Sequence, residues 1–266
     1  MTVDIAAGSA RFEIGRVVRR LIDVVGKNRT SFLVLSAVLT SPYVLFSFYN
    51  VANLYGYIQP QSLAVPGVLT TLVASAVAGL AIYIVFASQL QAAITHGMMV
   101  SLNGDKASFA ECLAAGIRNA LPLTATVLLA ALAIGVGFVV LIVPGAILAL
   151  MFSIVTPVRV TEHTGVLQTL SRSAELTKNH RASIFGLVVV FWVVAIIVGL
   201  TLRVFAGLPL VGVGGTRASM MLFVGLNGIF RVFFNLVGAA GVASVYYELR
   251  LVKEGVGPEQ IAAIFE

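Results

Sequence analysis

Asn227, Arg231 and Asn235 stand four residues apart in the last long apolar stretch of the chain. At 3.6 residues per helical turn they share one face, with about 40° of drift per step. Gly238 continues the stripe. A guanidinium between two amides suits an anion: it is permanently charged and carries five N–H donors. It does not suit bond breaking, because no acid or nucleophile accompanies it. A charge inside an apolar span is by default a functional hypothesis, and two readings of this face compete. Arg231 lies 16 residues before Tyr247, about 24 Å along a helix, near the outer edge of a hydrocarbon core of about 30 Å. It can snorkel to that interface, or the face can line a polar groove for a lipid headgroup or an anionic solute. Arg203 and Arg217 would join it in a basic cluster on the same side.

Little else in the chain could carry chemistry. None of His96, His163 and His180 has a second His, Cys or carboxylate three or four residues away in a zinc-like arrangement. Glu162 and His163 are merely adjacent, which points them in different directions on a helix. Gly212-x-Gly214-Gly215 has no strand before it and reads as a flexible turn. There is no Gly-x-Ser-x-Gly elbow, no P-loop and no pair of acids in a span. Cys112 is the only cysteine, so no disulfide framework or Cys-based metal site is available. The expectation is a chain without catalytic residues, metal or cofactor.

The elements that position the Asn227–Arg231–Asn235 face follow from where charge is missing. Of 266 residues, 17 are basic and 11 acidic, against about 25% charged residues in soluble domains. Thr30 to Gly104, Asn119 to Val158 and Ala182 to Leu202 contain no Asp, Glu, Lys or Arg. A span needs about 20 apolar residues, so the gaps predict an all-α, polytopic membrane protein with six transmembrane helices. They cover residues 31–49, 67–95, 121–143, 146–158, 183–205 and 220–247, with Val143-Pro144-Gly145 as a tight break between the third and fourth. Three acids among six bases precede the first apolar run, and no cleaved signal peptide is expected. Fourteen of the seventeen bases lie in residues 1–30, 96–118, 159–181 and after Tyr247. By the positive-inside rule both termini face the cytoplasm. The net charge of +6 fits that bias and contact with anionic lipid rather than nucleic acid.

Each hairpin follows a short stretch with helical periodicity, giving a single membrane domain of three units. Interfacial helices at 11–28, 106–118 and 166–179 lead hairpins at 31–95, 121–158 and 183–247, and 248–266 forms a cytoplasmic tail. In the first lead, Phe12, Ile14, Val17, Val18, Leu21, Ile22 and Val25 oppose Arg16, Arg19, Arg20 and Asp23. Basic leads of this kind would meet anionic headgroups. Lys27-Asn28-Arg29 resembles Lys178-Asn179-His180-Arg181 at the third junction. Arg172, Glu175 and Lys178 read as a solvated face with mutual pairing. Ser75-xxx-Gly79, Ala131-xxx-Gly135 and Ala240-xxx-Ser244 read as sites of close helix packing.

Four strings occur in order: Val143-Pro144-Gly145; Pro157 with Glu162; Arg172-Ser173-Ala174-Glu175-Leu176-Thr177-Lys178-Asn179; and Tyr246-Tyr247-Glu248-Leu249-Arg250 before Lys253-Glu254-Gly255. Together they resemble the membrane domain of bacterial glycerophosphoryl diester phosphodiesterases and the related stand-alone YciC-like membrane proteins. The likeness covers most of the chain from about Phe109. It implies a six-helix bacterial inner-membrane protein. In the phosphodiesterases a catalytic domain follows the membrane part; here 19 residues follow Tyr247, so the activity is not expected to carry over. The leading expectation is a non-catalytic membrane module that interacts with lipids or a partner membrane protein in envelope homeostasis. The rival is a small transporter or channel using the polar face of the last span.

Overall fold

The computed structural model describes residues 12–58, 62, 65–118, 120–209 and 215–255. Every described element is helical: α1 (Ile14–Lys27), α2 (Arg29–Leu54) with a 3-10 turn (Tyr55–Ile58), α3 (Val68–Leu102), α4 (Phe109–Arg118), α5 (Ala120–Val140), α6 (Ile142–Met151), α7 (Val155–Glu162), α8 (Val166–Thr177), α9 (Arg181–Phe205) and α10 (Arg217–Glu254). Six segments are long and apolar enough to cross a membrane, the fourth formed by α6 and α7 together. The chain is a helical, multi-pass membrane protein.

The charge gaps therefore find the spans, while side-chain pairing shifts their ends. α10 runs on through Glu254, so residues 248–254 are helix rather than tail, with Glu248 0% exposed and Arg250 8%. The fourth span is interrupted at 152–154, between α6 and α7. Pro144 does not form the preceding turn. Leu141 alone makes it, in extended conformation (φ −161°), and Pro144 sits in the first turn of α6, where a missing N–H costs nothing. The Gly212 and Gly214 positions, Arg11 and residues 256–266 lie outside the described residues.

α1, α4, α8 and the C-terminal part of α10 gather at one end of the bundle, here called the basic end. Phe32, Leu35, Leu90, Ile94, Met98, Leu236 and Ala240 form the core beneath them. α10 packs most extensively on α2, then on α3 and α1. Its contact with α9, its expected hairpin partner, is lighter, and α3 and α9 form no packed interface. The apolar face of α1 divides: Val17 and Val24 are buried in the bundle, while Ile14, Val18 and Ile22 stay exposed. Of the small-residue pairs, Ala240 and Ser244 are fully buried, and a Cβ on Gly79 would come within 3.1 Å of Phe46. Gly135 has nothing within 4 Å, so that pair makes no close approach.

Two ionic clusters fasten the basic end. Glu248 accepts from Arg16 Nε at 2.8 Å and from Arg20 at 3.3 Å. Arg172 Nε donates to Glu162 at 3.0 Å, and its terminal nitrogen to Glu254. Arg250 closes on Glu254 at 2.8 Å, and the Tyr246 hydroxyl donates to Glu162 at 3.0 Å. Arg172, expected on a solvated face, thus ties α7 and α8 to α10. The pairing with Glu175 survives only at 3.7 Å.

Candidate functional site

The polar stripe of α10 faces a groove of about 610 Å³ between α2, α3, α9 and α10. Asn227, Arg231 and Asn235 all line it. Arg231 Nε donates to Asn227 Oδ1 at 2.9 Å. Its guanidinium lies 4.7 Å from the ring centre of Tyr43 and 5.8 Å from that of Tyr83. Asn235 Nδ2 donates to Thr40 Oγ1 at 3.2 Å. Cation–π contact of this kind is worth about 0.5–2 kcal/mol, so two tyrosine faces ease the burial of a charge that has no carboxylate partner among the described residues. Among the described residues, only Nε of the five Arg231 N–H donors has an acceptor. The terminal nitrogens remain for a ligand.

Depth corrects the distance counted from Tyr247. Tyr247 lies beneath the Arg20 guanidinium, 4.2 Å from it, inside the ionic layer of the basic end. The antiparallel neighbour α2 is a better ruler. Thr40 meets Asn235, a Cβ on Gly228 would reach Val44, and Arg217 bonds the Ala52 carbonyl. Arg231 is therefore level with Tyr43, about 21 Å from Arg29 and about 16 Å from Leu54 at 1.5 Å per residue. That is the middle of the span.

Arg203 and Arg217 do not join it. Arg203 Nε donates to the Pro209 carbonyl and Arg217 to Ala52, both at the far end of the bundle. Arg217 is about 21 Å along α10 from Arg231. The three do not form one basic cluster; each of the two outer arginines holds a backbone carbonyl. The groove instead recruits side chains that sequence reasoning passed over: Tyr43, Ser47 and Asn50 from α2, Tyr83 from α3 and Trp192 from α9. Tyrosines in the middle of apolar runs were the available signal.

α3 and α9, which both line the groove, form no packed interface across it. Toward the basic end it narrows to a void of about 10 Å³ lined by Leu39, Thr40, Leu90 and Asn235, and the buried core closes it there.

Among the described residues, no three His, Cys, Asp or Glu side chains gather as metal ligands. The His180 ring lies tilted against Phe12, ring centres 5.6 Å apart. Cys112 is 1% exposed, and burial, with Glu111 adding to it, pushes its thiol up to about 11. At pH 8 about one thiol in a thousand is then ionised, and the thiolate is the reactive form. Maleimide is expected to label Cys112 only after unfolding. Labelling of the folded protein within minutes at pH 8 would contradict this.

A mid-span groove with one arginine defines the site of this membrane protein. Compared with family models, curated proteins and solved structures, the chain matches none.

Proposed function

We propose that this chain is a non-catalytic lipid-binding protein of the bacterial cytoplasmic membrane, with both termini in the cytoplasm. The groove holds one anionic amphiphile, with Arg231 as counter-charge. The observation that carries the reading is Arg231 itself: a mid-span guanidinium, unpaired by any carboxylate among the described residues, that lines the groove between α2, α3, α9 and α10. An amphiphile that enters between α3 and α9 reaches it without crossing water. The gathering of bases at one end supports the orientation. The likeness to phosphodiesterase membrane domains and YciC-like proteins is kept as a proposal of kinship, and the role in envelope homeostasis, through lipids or a membrane-protein partner, likewise.

A transporter or channel on the same face would need a path past Thr40 and Asn235. Leu39, Leu90 and Leu236 are buried there, so the closed floor favours binding over conduction.

Native mass spectrometry of the purified protein, with identification of retained lipid, tests the reading. Hydrogen bonds to a charged group are worth about 1.5–3 kcal/mol. Arg231→Ala is therefore expected to reduce retained anionic lipid at least tenfold, while Arg203→Ala leaves it unchanged. Equal retention in wild type and Arg231→Ala would overturn it.

A further inference from the structure

We infer that a corner of the basic end, formed by Lys178, Arg181 and Lys253, binds the phosphate of an anionic lipid whose chains lie along the outer face of α9. This site is separate from the groove, and it stands or falls without it.

The corner is where α8 turns into α9. The His180 N–H donates to the Thr177 carbonyl at 3.1 Å. That tight turn sets Arg181, the first residue of α9, close behind Lys178, the residue that ends α8. α10 reaches the same corner, because Lys253 donates to the Glu175 carbonyl in the last turn of α8. Lys178 and Arg181 are both near enough to act on Lys253 electrostatically.

Three like charges held together repel, and the acids nearby are largely taken. Glu254 accepts from Arg172 and Arg250, and Glu162 from Arg172 and Tyr246. Glu175 faces Lys253 but is shared with Arg172. Among the described residues, neither Lys178 nor Arg181 has a hydrogen-bond or ion-pair partner. His180 adds no charge at neutral pH, since burial and the nearby Lys253 hold it below its ordinary value. The corner is thus a net cation. A phosphate, with several anionic oxygens, can meet more than one of its donors at once.

Position says where that phosphate comes from. Arg181 opens a membrane span, so it stands at the level where headgroups meet hydrocarbon. At steps of four residues beyond it, Phe185, Val189 and Val193 are all exposed. They share one helix face with Arg181, drifting by about 40° per step, and none of them lines the groove. A lipid held at the corner therefore finds an apolar stripe for its chains on the same helix. A soluble phosphate would gain the charges alone. Basic sites at the ends of membrane helices meet anionic headgroups in this way.

The test reads lipid contact in a bilayer. A photoreactive amino acid replaces Phe185, and the protein is placed in nanodiscs of phosphatidylglycerol and phosphatidylcholine in equal amounts. The ratio of anionic to zwitterionic lipid crosslinked is expected to exceed about ten. Each base near an anionic lipid contributes about 1 kcal/mol, or about fivefold. Arg181→Gln and Lys253→Gln are therefore each expected to lower the ratio about fivefold, and both together with Lys178→Gln to bring it close to one. An unchanged yield of crosslinked phosphatidylcholine shows that the fold is kept. Arg19→Gln and Lys106→Gln, exposed bases elsewhere on the basic end, are expected to leave the ratio as it is. A ratio of one in wild type would overturn the inference, and so would an equal fall in these two controls, which would reduce the corner to the general pull of a basic surface. Millimolar inorganic phosphate is expected to leave the ratio unchanged; its loss would make the ligand a free phosphate instead. Arg231→Ala is also expected to leave it unchanged. A fall there would mean that the crosslinked lipid belongs to the groove and not to the corner.

Discussion

Replacing Arg16 and Arg20 together by alanine is expected to destabilise the fold by about 3–5 kcal/mol, the usual cost of stripping partners from a buried charge. Glu248 is 0% exposed, while the Arg16 and Arg20 side chains are 37% and 16% exposed. The exposed partners can regain water when the pair is broken; the carboxylate cannot. Its hydrogen bond to Glu248 raises Arg16 above its ordinary value, so the cation persists at any pH a bilayer tolerates. Either single alanine leaves one arginine on Glu248 and is expected to cost less than half as much. Arg16→Met, Arg20→Met and Glu248→Leu combined remove charge and partner together. Apolar replacement of a whole buried ionic group is often neutral or better, so this variant is expected to recover most of the loss. Melting temperatures in one detergent decide. A double alanine variant that melts with wild type would mean that Glu248 is hydrated or paired elsewhere.

The same pair explains why the sequence suggests a tail where α10 continues. In sequence, Glu248, Arg250, Lys253 and Glu254 look like a solvated tail, because charge is the usual mark of water. In the structure Glu248 is taken up by Arg16 and Arg20, Glu254 by Arg172 as well as by its helix neighbour Arg250, and Lys253 by the Glu175 carbonyl. Periodicity cannot see pairs separated by 80 or 230 residues. The spans were legible because length and apolarity are local properties. Repetition of a string was a weaker guide. Asn28 is buried, holding Ser101 at 3.0 Å and the Ala107 amide at 3.0 Å, whereas Asn179, its counterpart at the third junction, is exposed with φ +72°. Two similar junctions do two different jobs.

The site divides in the same way. The four-residue spacing of Asn227, Arg231 and Asn235 marked one wall, because a helix face is written in one segment of sequence. The facing wall comes from Tyr43, Asn50 and Tyr83, some 150 to 190 positions away, and nothing local joins them to α10. Depth failed for a related reason. Counting from Tyr247 assumed that the apolar layer ends where aromatic residues meet charge, but here the helix continues through a packed ionic layer.

Gly145→Ala is expected to have a second large effect, on the α5–α6 turn. A Cβ there would fall 2.5 Å from Phe138 Cγ and 2.7 Å from the Phe138 backbone nitrogen. The ring could move aside; the backbone cannot without parting the helices. Across the contact, a Cβ on Gly137 would fall 3.0 Å from Gly145 Cα. The two glycines thus let α5 and α6 approach closely enough for the single residue Leu141 to join them, with its N–H on the Gly137 carbonyl at 3.0 Å and its own carbonyl accepting from Gly145 at 3.3 Å. Overpacking typically costs about 1–3 kcal/mol, and a backbone clash puts this substitution at the upper end. Phe138→Leu in the same chain is expected to restore little, because the clash with the nitrogen remains. Gly135→Ala, ten residues earlier in α5 and with nothing within 4 Å, is the control. Replacing a mid-helix glycine by alanine there is expected to stabilise by about 0.5–1 kcal/mol. If Gly145→Ala melts with Gly135→Ala, α5 and α6 do not meet as closely as the two glycines require.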